Sequence, residues 1–242
     1  MNRPPITLDK AFYRSVPLPC PYLDNFTEQR IFTFIDEDDS PLLVDLLSRS
    51  GFRRSQNTIY RPQCEGCSAC VPVRAKADDF TPRSSLKRIK KANRDLAATL
   101  VEARAGEENY ALFTAYVRSR HGDGDMALMD FGDFQEMIEI TPVETRLAEF
   151  RDYEGNLIGA CLTDMMSDGL SAVYSFFDPK ESHRSLGNYM IIWLIEETRR
   201  MALPHTYLGY WIENCQKMSY KTRFTPQEHL VEGQWLLWNE QK

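Results

Sequence analysis

The sequence predicts an α+β fold in which an N-terminal cysteine-containing subdomain precedes a sheet-and-helix half. Three observations carry this. Residues 1–105 carry a cysteine cluster and a basic helix and end at a soft boundary near Ala105-Gly106, and the texture changes to strands after about Ile140. Three consecutive strand-like runs then follow, joined by the turn sequences Tyr153-Glu-Gly-Asn156 and Ser167-Asp-Gly169, both suited to hairpins. A long apolar-faced segment from Ser185 to about Met201 comes next, followed by a strand, a short helix and a strand. The expected division is 1–105 and 106–242.

Taken in order, residues 1–19 read as extended, with Pro4, Pro5, Pro17 and Pro19 scattered through them. Ser40 before Pro41 suits a helix start, and Gly51 follows a helix ending near Arg49. Phe52 to Arg61 has strand-like content. Cys64 to Cys70 is a tight loop, and Val71-Pro-Val-Arg74 a short strand or edge segment. Ser84 or Ser85 caps a helix expected to run to about Leu100, its apolar positions Leu86, Ile89, Leu96 and Leu100 falling near one face. Helices at about 109–120 and 134–140 lead to strands at 146–152, 157–165 and 170–177. After the long helix come a strand at 207–212, a helix at 214–221 and a strand at 234–238.

The later elements have the order of the GNAT-type acyltransferase fold. That fold normally holds an acyl carrier at a Gly-rich turn before its long helix, where backbone N–H groups meet phosphate. Here the turn is His183-Arg-Ser-Leu-Gly-Asn188, with one glycine. This argues against a coenzyme A-dependent acetyltransferase, though Arg184 beside the helix start could meet another phosphate.

The chain has 242 residues, 43% of them hydrophobic and 26% charged, with net charge −6. Such a composition suits an ordinary globular protein that needs no disulfides. The first residues contain no apolar h-region, and the longest apolar run, Met190–Ile195, is far too short to span a bilayer. A cytoplasmic protein with reduced thiols and no membrane partner is expected.

Against this acidic background, Arg83 to Arg94 contains Arg83, Lys87, Arg88, Lys90, Lys91 and Arg94 and no acid. A local basic face on an acidic chain fits one specific anionic partner, with nucleic acid the first candidate. Just before it stand Cys64, Cys67 and Cys70. With Cys20 as a distant fourth ligand they could hold zinc or an iron–sulfur cluster; a redox-sensing set or a purely structural loop are the other readings.

Cys20-Pro-Tyr22, the cysteine cluster, Val71-Pro-Val-Arg74, Phe80-Thr-Pro-Arg-Ser84, the basic helix, Phe177-Asp-Pro179, Ser185-Leu-Gly187 and Tyr207-Leu-Gly-Tyr-Trp-Ile-Glu-Asn-Cys-Gln-Lys-Met-Ser-Tyr-Lys221 occur in this order. Together they resemble the aminoacyl-tRNA–protein transferases, and within them the bacterial aspartate/glutamate leucyltransferase branch. The resemblance covers about residues 18 to 238. It implies that leucine passes from leucyl-tRNA to the N-terminal Asp or Glu of acceptor proteins, marking them for degradation by the N-degron route. The eukaryotic branch uses arginine. Its adjacent cysteine pair is met only in part, with Ser68 beside Cys67.

The implied reaction is aminolysis of an activated ester. It needs no covalent enzyme nucleophile and no cofactor. The attacking α-amine has a pKa near 7.7–8.0, so part of it is already neutral. On that expectation, Tyr174 and Asp164 are candidates for oxyanion stabilisation and proton handling. Lys217 and Lys221, four apart on a short helix, with Arg223 and Tyr220, would receive the acceptor's carboxylate. Tyr207 and Tyr210 are further candidates for stacking or hydrogen bonding, and Asp178 for anchoring the amine. The tRNA would lie on Arg83, Lys87, Arg88, Lys90, Lys91, Arg94 and Arg184. Arginyl transfer, or a non-catalytic metal-dependent RNA-binding protein using only the cysteine loop and basic helix, are the alternatives. Oligomeric state is not legible.

Overall fold

The structure is a computed structural model that describes residues 10–36, 39, 41–121 and 124–238. The N-terminal region forms β1 (Tyr13–Arg14), β2 (Leu18–Pro19), β3 (Thr27–Glu28), β4 (Arg30–Phe34), α1 (Pro41–Arg49), β5 (Arg53–Ser55) and β6 (Thr58–Pro62). Next come β7 (Cys70–Lys76), α2 (Ser84–Ala92), β8 (Ala97–Glu102), α3 (Glu107–His121) and α4 (Phe131–Glu139). The chain continues with β9 (Thr145–Arg151), β10 (Leu157–Met166), β11 (Gly169–Phe177), α5 (Leu186–Arg200), β12 (His205–Ile212), β13 (Gln227–Val231) and β14 (Gln234–Leu237). The Ser40 cap and residues 1–9 lie outside the described residues.

Eight strands form one sheet in the order β14-β13-β7-β12-β11-β10-β9-β8, and four form a second in the order β1-β4-β6-β5. The meander β9–β10–β11 is antiparallel through the two hairpins read from the sequence. Helix α5 then carries the chain back so that β12 lies parallel to β11, as a crossover helix permits. This is the GNAT-like order. Ile192, Leu194 and Ile195 of α5 are fully buried against the sheet.

Three elements differ from expectation. The segment 71–74 is no edge: β7 sits between β12 and β13. Pro72 is tolerated because β13 pairs only with Val73 to Ala75, so the proline lies beyond that ladder. The basic helix stops at Ala92, where the fully buried Asn93 turns the chain by donating to the carbonyls of Ile89 and Arg184. Residues 97–102 then pair with β9 as a strand, so Leu100 is not on a helix. Third, residues 214–218 form turns and Ser219–Arg223 a single 3-10 turn, so Lys217 and Lys221 do not share an α-helical face.

Strands from both sides of residue 105 share the large sheet. The small sheet packs one face on α1 through Ile35, Leu43, Val44, Leu47 and Ile59. No helix among the described residues is long and apolar enough to cross a membrane.

Candidate active site

The parallel pair β11–β12 is short. Only Gly169, Leu170 and Ser171 pair with His205, Thr206 and Tyr207. Beyond them the strands diverge, each with a register irregularity against its other neighbour, at Leu162/Thr163 on β10 and at Tyr207/Gly209 on β12. Such irregularities bend strands and re-aim side chains. The gap exposes backbone groups that a closed sheet would pair.

Arg53 fills the throat of this gap. Its Nη2 donates to the carbonyls of Ala172 at 2.8 Å and Val173 at 3.4 Å. Its guanidinium lies against Gly209, whose φ of +78° favours glycine. Outward from Arg53 the gap widens into a cavity of about 510 Å³. Ala172 to Ser175 of β11, Leu208 and Tyr210 of β12, and Met190 and Ile191 of α5 form its walls. Tyr22, Tyr60, Tyr116, Lys217, Tyr220 and Lys221 close the rest. Among the described residues three basic side chains line it and no carboxylate does.

Of the expected site residues, Tyr174, Lys217, Tyr220 and Lys221 meet in this cavity. The Tyr174 hydroxyl is buried and has no hydrogen-bond partner among the described residues. Burial pushes its pKa up, so it stays a protonated donor. Lys217 is exposed at the mouth. Lys221 is buried, and its Nζ donates to the Tyr210 carbonyl at 2.5 Å. Burial first, and then the positive Arg53, bring its pKa down to about 7.

Asp164 lies elsewhere. Its two oxygens meet Arg54 Nε at 2.7 Å and Nη2 at 2.6 Å, and Oδ1 accepts from Thr145 Oγ1 at 2.9 Å. Both partners are buried, so this carboxylate holds the small sheet to β10 and is not free to move substrate protons. Asp178 accepts from the Lys180 backbone N–H in a turn. The Tyr210 hydroxyl donates to the carbonyls of Gly51 and Tyr60. Tyr207 donates to Asp168 and accepts from Arg74, so neither hydroxyl is available as the oxyanion donor. Arg223 reaches Asn188 at 3.4 Å and does not line the cavity.

The basic helix is anchored by Leu86, which is 1% exposed, while Arg83, Lys87, Arg88, Lys91 and Arg94 face solvent. Lys90 is held by Glu196 at 2.5 Å. Arg184 is held by Asp95 and Glu181, so it is neutralised rather than offered to phosphate. Among the described residues Lys87, Arg88, Lys91 and Arg94 have no ion-pair partner.

The four cysteines Cys20, Cys64, Cys67 and Cys70 are free and half-buried. Burial, and then the thiols of Cys64, Cys20 and Cys67, push the Cys70 pKa up to about 12. Cys64 Sγ accepts from the Gln29 N–H at 3.4 Å, which ties the loop to the small sheet. Among the described residues no group of three or more His, Cys, Asp or Glu is arranged to hold a metal ion.

Sequence reasoning did not place Tyr22, Tyr60 or Tyr116 in the site. Tyr22 belongs to Cys20-Pro-Tyr22, a stretch the resemblance had marked without giving the tyrosine a role. Tyr60 stands opposite Arg53 in the β5–β6 register, and the sequence reading had placed neither in this cavity. Nothing local marks Tyr116 on α3.

Comparison with known proteins gives the family. The family described as "Arginine-tRNA-protein transferase, N terminus" matches residues 18–88, and its C-terminus counterpart matches residues 108–231. The "Aspartate/glutamate leucyltransferase" of Paramagnetospirillum magneticum is 51% identical over 235 residues, covering 97% of this chain and 96% of that one. The protein of the same name from Rhodospirillum rubrum is 46% identical over 241 residues, covering 99% and 98%. A solved structure, L-PGS from Bacillus licheniformis, aligns with a TM-score of 0.46 at 13% identity, over 60% of this chain and 48% of its own. Matched in both halves and along nearly its whole length, the chain belongs to the arginine-tRNA–protein transferase family of aminoacyltransferases.

Proposed function

We propose that this protein transfers leucine from leucyl-tRNA to the N-terminal Asp or Glu of acceptor proteins, and so marks them for degradation by the N-degron route. The observation that carries the reading is the lining of the cavity: Arg53, Lys217 and Lys221, with no carboxylate among the described residues. An acidic N-terminal side chain finds counter-charge there. An arginyl donor would meet only like charge, whereas a leucyl side chain is matched by Val173, Met190, Ile191 and Leu208. The names of the two relatives point the same way.

The chemistry follows from placement. The acceptor carboxylate sits among the three cations. Its α-amine, kept from protonation by the same positive field, attacks the ester carbon. As the tetrahedral intermediate forms, the Tyr174 hydroxyl donates to the developing oxyanion. The leaving ribose oxygen takes the proton that the amine loses, and the peptide bond remains. Holding two reactants in contact supplies roughly 7–11 kcal/mol of such a barrier, so no covalent intermediate is required.

The test supplies leucyl-tRNA and arginyl-tRNA separately, with peptides beginning Asp, Glu, Lys and Arg. Leucine is expected on the Asp and Glu peptides alone. Arginine on the same peptides overturns the donor assignment, and leucine on Lys or Arg peptides overturns the acceptor assignment.

A further inference from the structure

The small sheet has two faces of opposite character. Thr33, Ile35 and Ile59 point to α1 and are buried. The other face carries an aromatic row that crosses all four strands in register. Tyr13 of β1 stands opposite Phe32 of β4, Phe32 opposite Tyr60 of β6, and Tyr60 opposite Arg53 of β5. Residues directly opposite on neighbouring strands project from the same face.

The rings are in contact but not covered. Tyr13 lies 5.8 Å from Phe32 and 6.0 Å from Phe34, and Phe32 and Phe34 are 5.8 Å apart. Tyr13 and Phe34 nevertheless remain 50% and 49% exposed. The Arg30 guanidinium lies 4.8 Å over the Tyr60 ring, with Glu28 as its ion-pair partner.

The row does not end at random. Its last two members, Tyr60 and Arg53, line the catalytic cavity. Three inter-strand spacings separate Arg53 from Tyr13, or about 14 Å. An exposed aromatic sheet face with interspersed guanidinium groups is a stacking platform for unpaired bases. The donor substrate arrives as an ester on the unpaired 3′ end of a tRNA, and that ester must reach the cavity.

We propose that the Tyr13–Phe32–Phe34 face of the small sheet binds the single-stranded 3′ end of the aminoacyl-tRNA, stacking its bases so that the terminal ribose ester enters the cavity past Tyr60. The basic helix α2 would hold the duplex phosphates, and this face the unpaired bases. The site rests on the donor being an aminoacyl-tRNA and not on which amino acid it carries.

The test is a binding measurement with uncharged tRNA bearing 2-aminopurine in place of the terminal adenine, and with the same tRNA lacking its unpaired 3′ nucleotides. The wild-type protein is expected to quench the probe. It should also prefer the intact tRNA by roughly 10-fold or more, the loss expected when about one or two stacked bases are removed. In the Tyr13→Ala/Phe34→Ala double variant both effects should collapse. Tyr13→Leu/Phe34→Leu, which keeps apolar bulk without rings, should behave likewise, whereas Tyr13→Phe/Phe34→Tyr should restore them. Retention of the wild-type preference by the alanine variant overturns the proposal. So does a fall in its melting temperature with unchanged tRNA binding, which would make the face a seat for protein. A failure of leucine transfer, with the 3′-end preference intact, would count against the proposed amino acid and not against this site.

Discussion

The Arg53 guanidinium occupies the space that a side chain at residue 209 would need: a β-carbon on Gly209 would lie 1.4 Å from Arg53 Nη1. Gly209→Ala must therefore both strain a backbone at φ +78° and push Arg53 out of the strand gap. Left-handed backbone alone costs roughly 1–2 kcal/mol for a residue with a side chain. A fall in melting temperature of about 3–8 °C is expected. Arg53→Met, which leaves Gly209 untouched, should raise the KM for a Glu-initiated peptide by about 10-fold or more, because a fixed cation is lost beside the carboxylate. Steady-state kinetics and thermal melting of the two variants separate the two roles of the contact.

Tyr174 carries a buried hydroxyl without a partner. Tyr174→Phe removes an unsatisfied polar group, so stability should hold or rise slightly. If the hydroxyl donates to the oxyanion, kcat should fall by about 10²- to 10³-fold while KM for both substrates changes little. Unaltered kcat would remove Tyr174 from the chemistry.

Lys221 is placed to respond to pH. In the unfolded chain its amine binds a proton up to the ordinary 10.5, whereas in the folded protein it gives it up near 7. Between these values the unfolded state holds more protons, so this group makes stability rise with pH from about 7 toward 10.5, and its penalty is fully present below 7. Lys221→Met should lack that rise in a series of thermal melts. An arriving carboxylate reverses the shift, so binding of a Glu-initiated peptide at pH 8 should take up a proton. Calorimetry in two buffers of different ionisation enthalpy should show this for the wild type and not for Lys221→Met.

On the basic helix, Lys87, Arg88 and Lys91 are exposed and without ion-pair partners, whereas Lys90 is held by Glu196. Replacing Lys87, Arg88 and Lys91 together with alanine should weaken tRNA binding and reduce the magnitude of its log–log salt slope by about 2–3, if each cation meets one phosphate. Lys90→Ala alone should change the slope much less. Equilibrium binding across a salt series measures both.

The meander, α5 and β12 were legible because their signals are local. Hairpin turns flank the strands, and α5 is a long run rich in apolar residues on most of its surface. The end of the basic helix was not, because Leu96 and Leu100 continue a helical spacing that only the tertiary role of Asn93 interrupts. β7 reads as an edge because of Pro72; its neighbours β12 and β13 come from the far end of the chain. The site divides in the same way. Tyr220 and Lys221 could be found from the 207–221 stretch, but nothing in the sequence shows that Asp164 is claimed by Arg54, 110 residues away. A long-range pair of that kind leaves no periodicity behind. The cavity itself depends on Tyr22, Tyr60 and Tyr116, which only the folded chain brings together.

The central position of β7 also sets the order in which the protein can be completed on the ribosome. β7 is synthesised early, yet both strands that flank it, β12 and β13, emerge near the end. Until then it presents two open edges, and an unpaired edge is a template for unwanted pairing with other chains. A product truncated before His205 lacks both partners of β7 and the whole β12 wall of the cavity. The nascent chain thus gains the β12 wall of its cavity and its protection from aggregation in one late event.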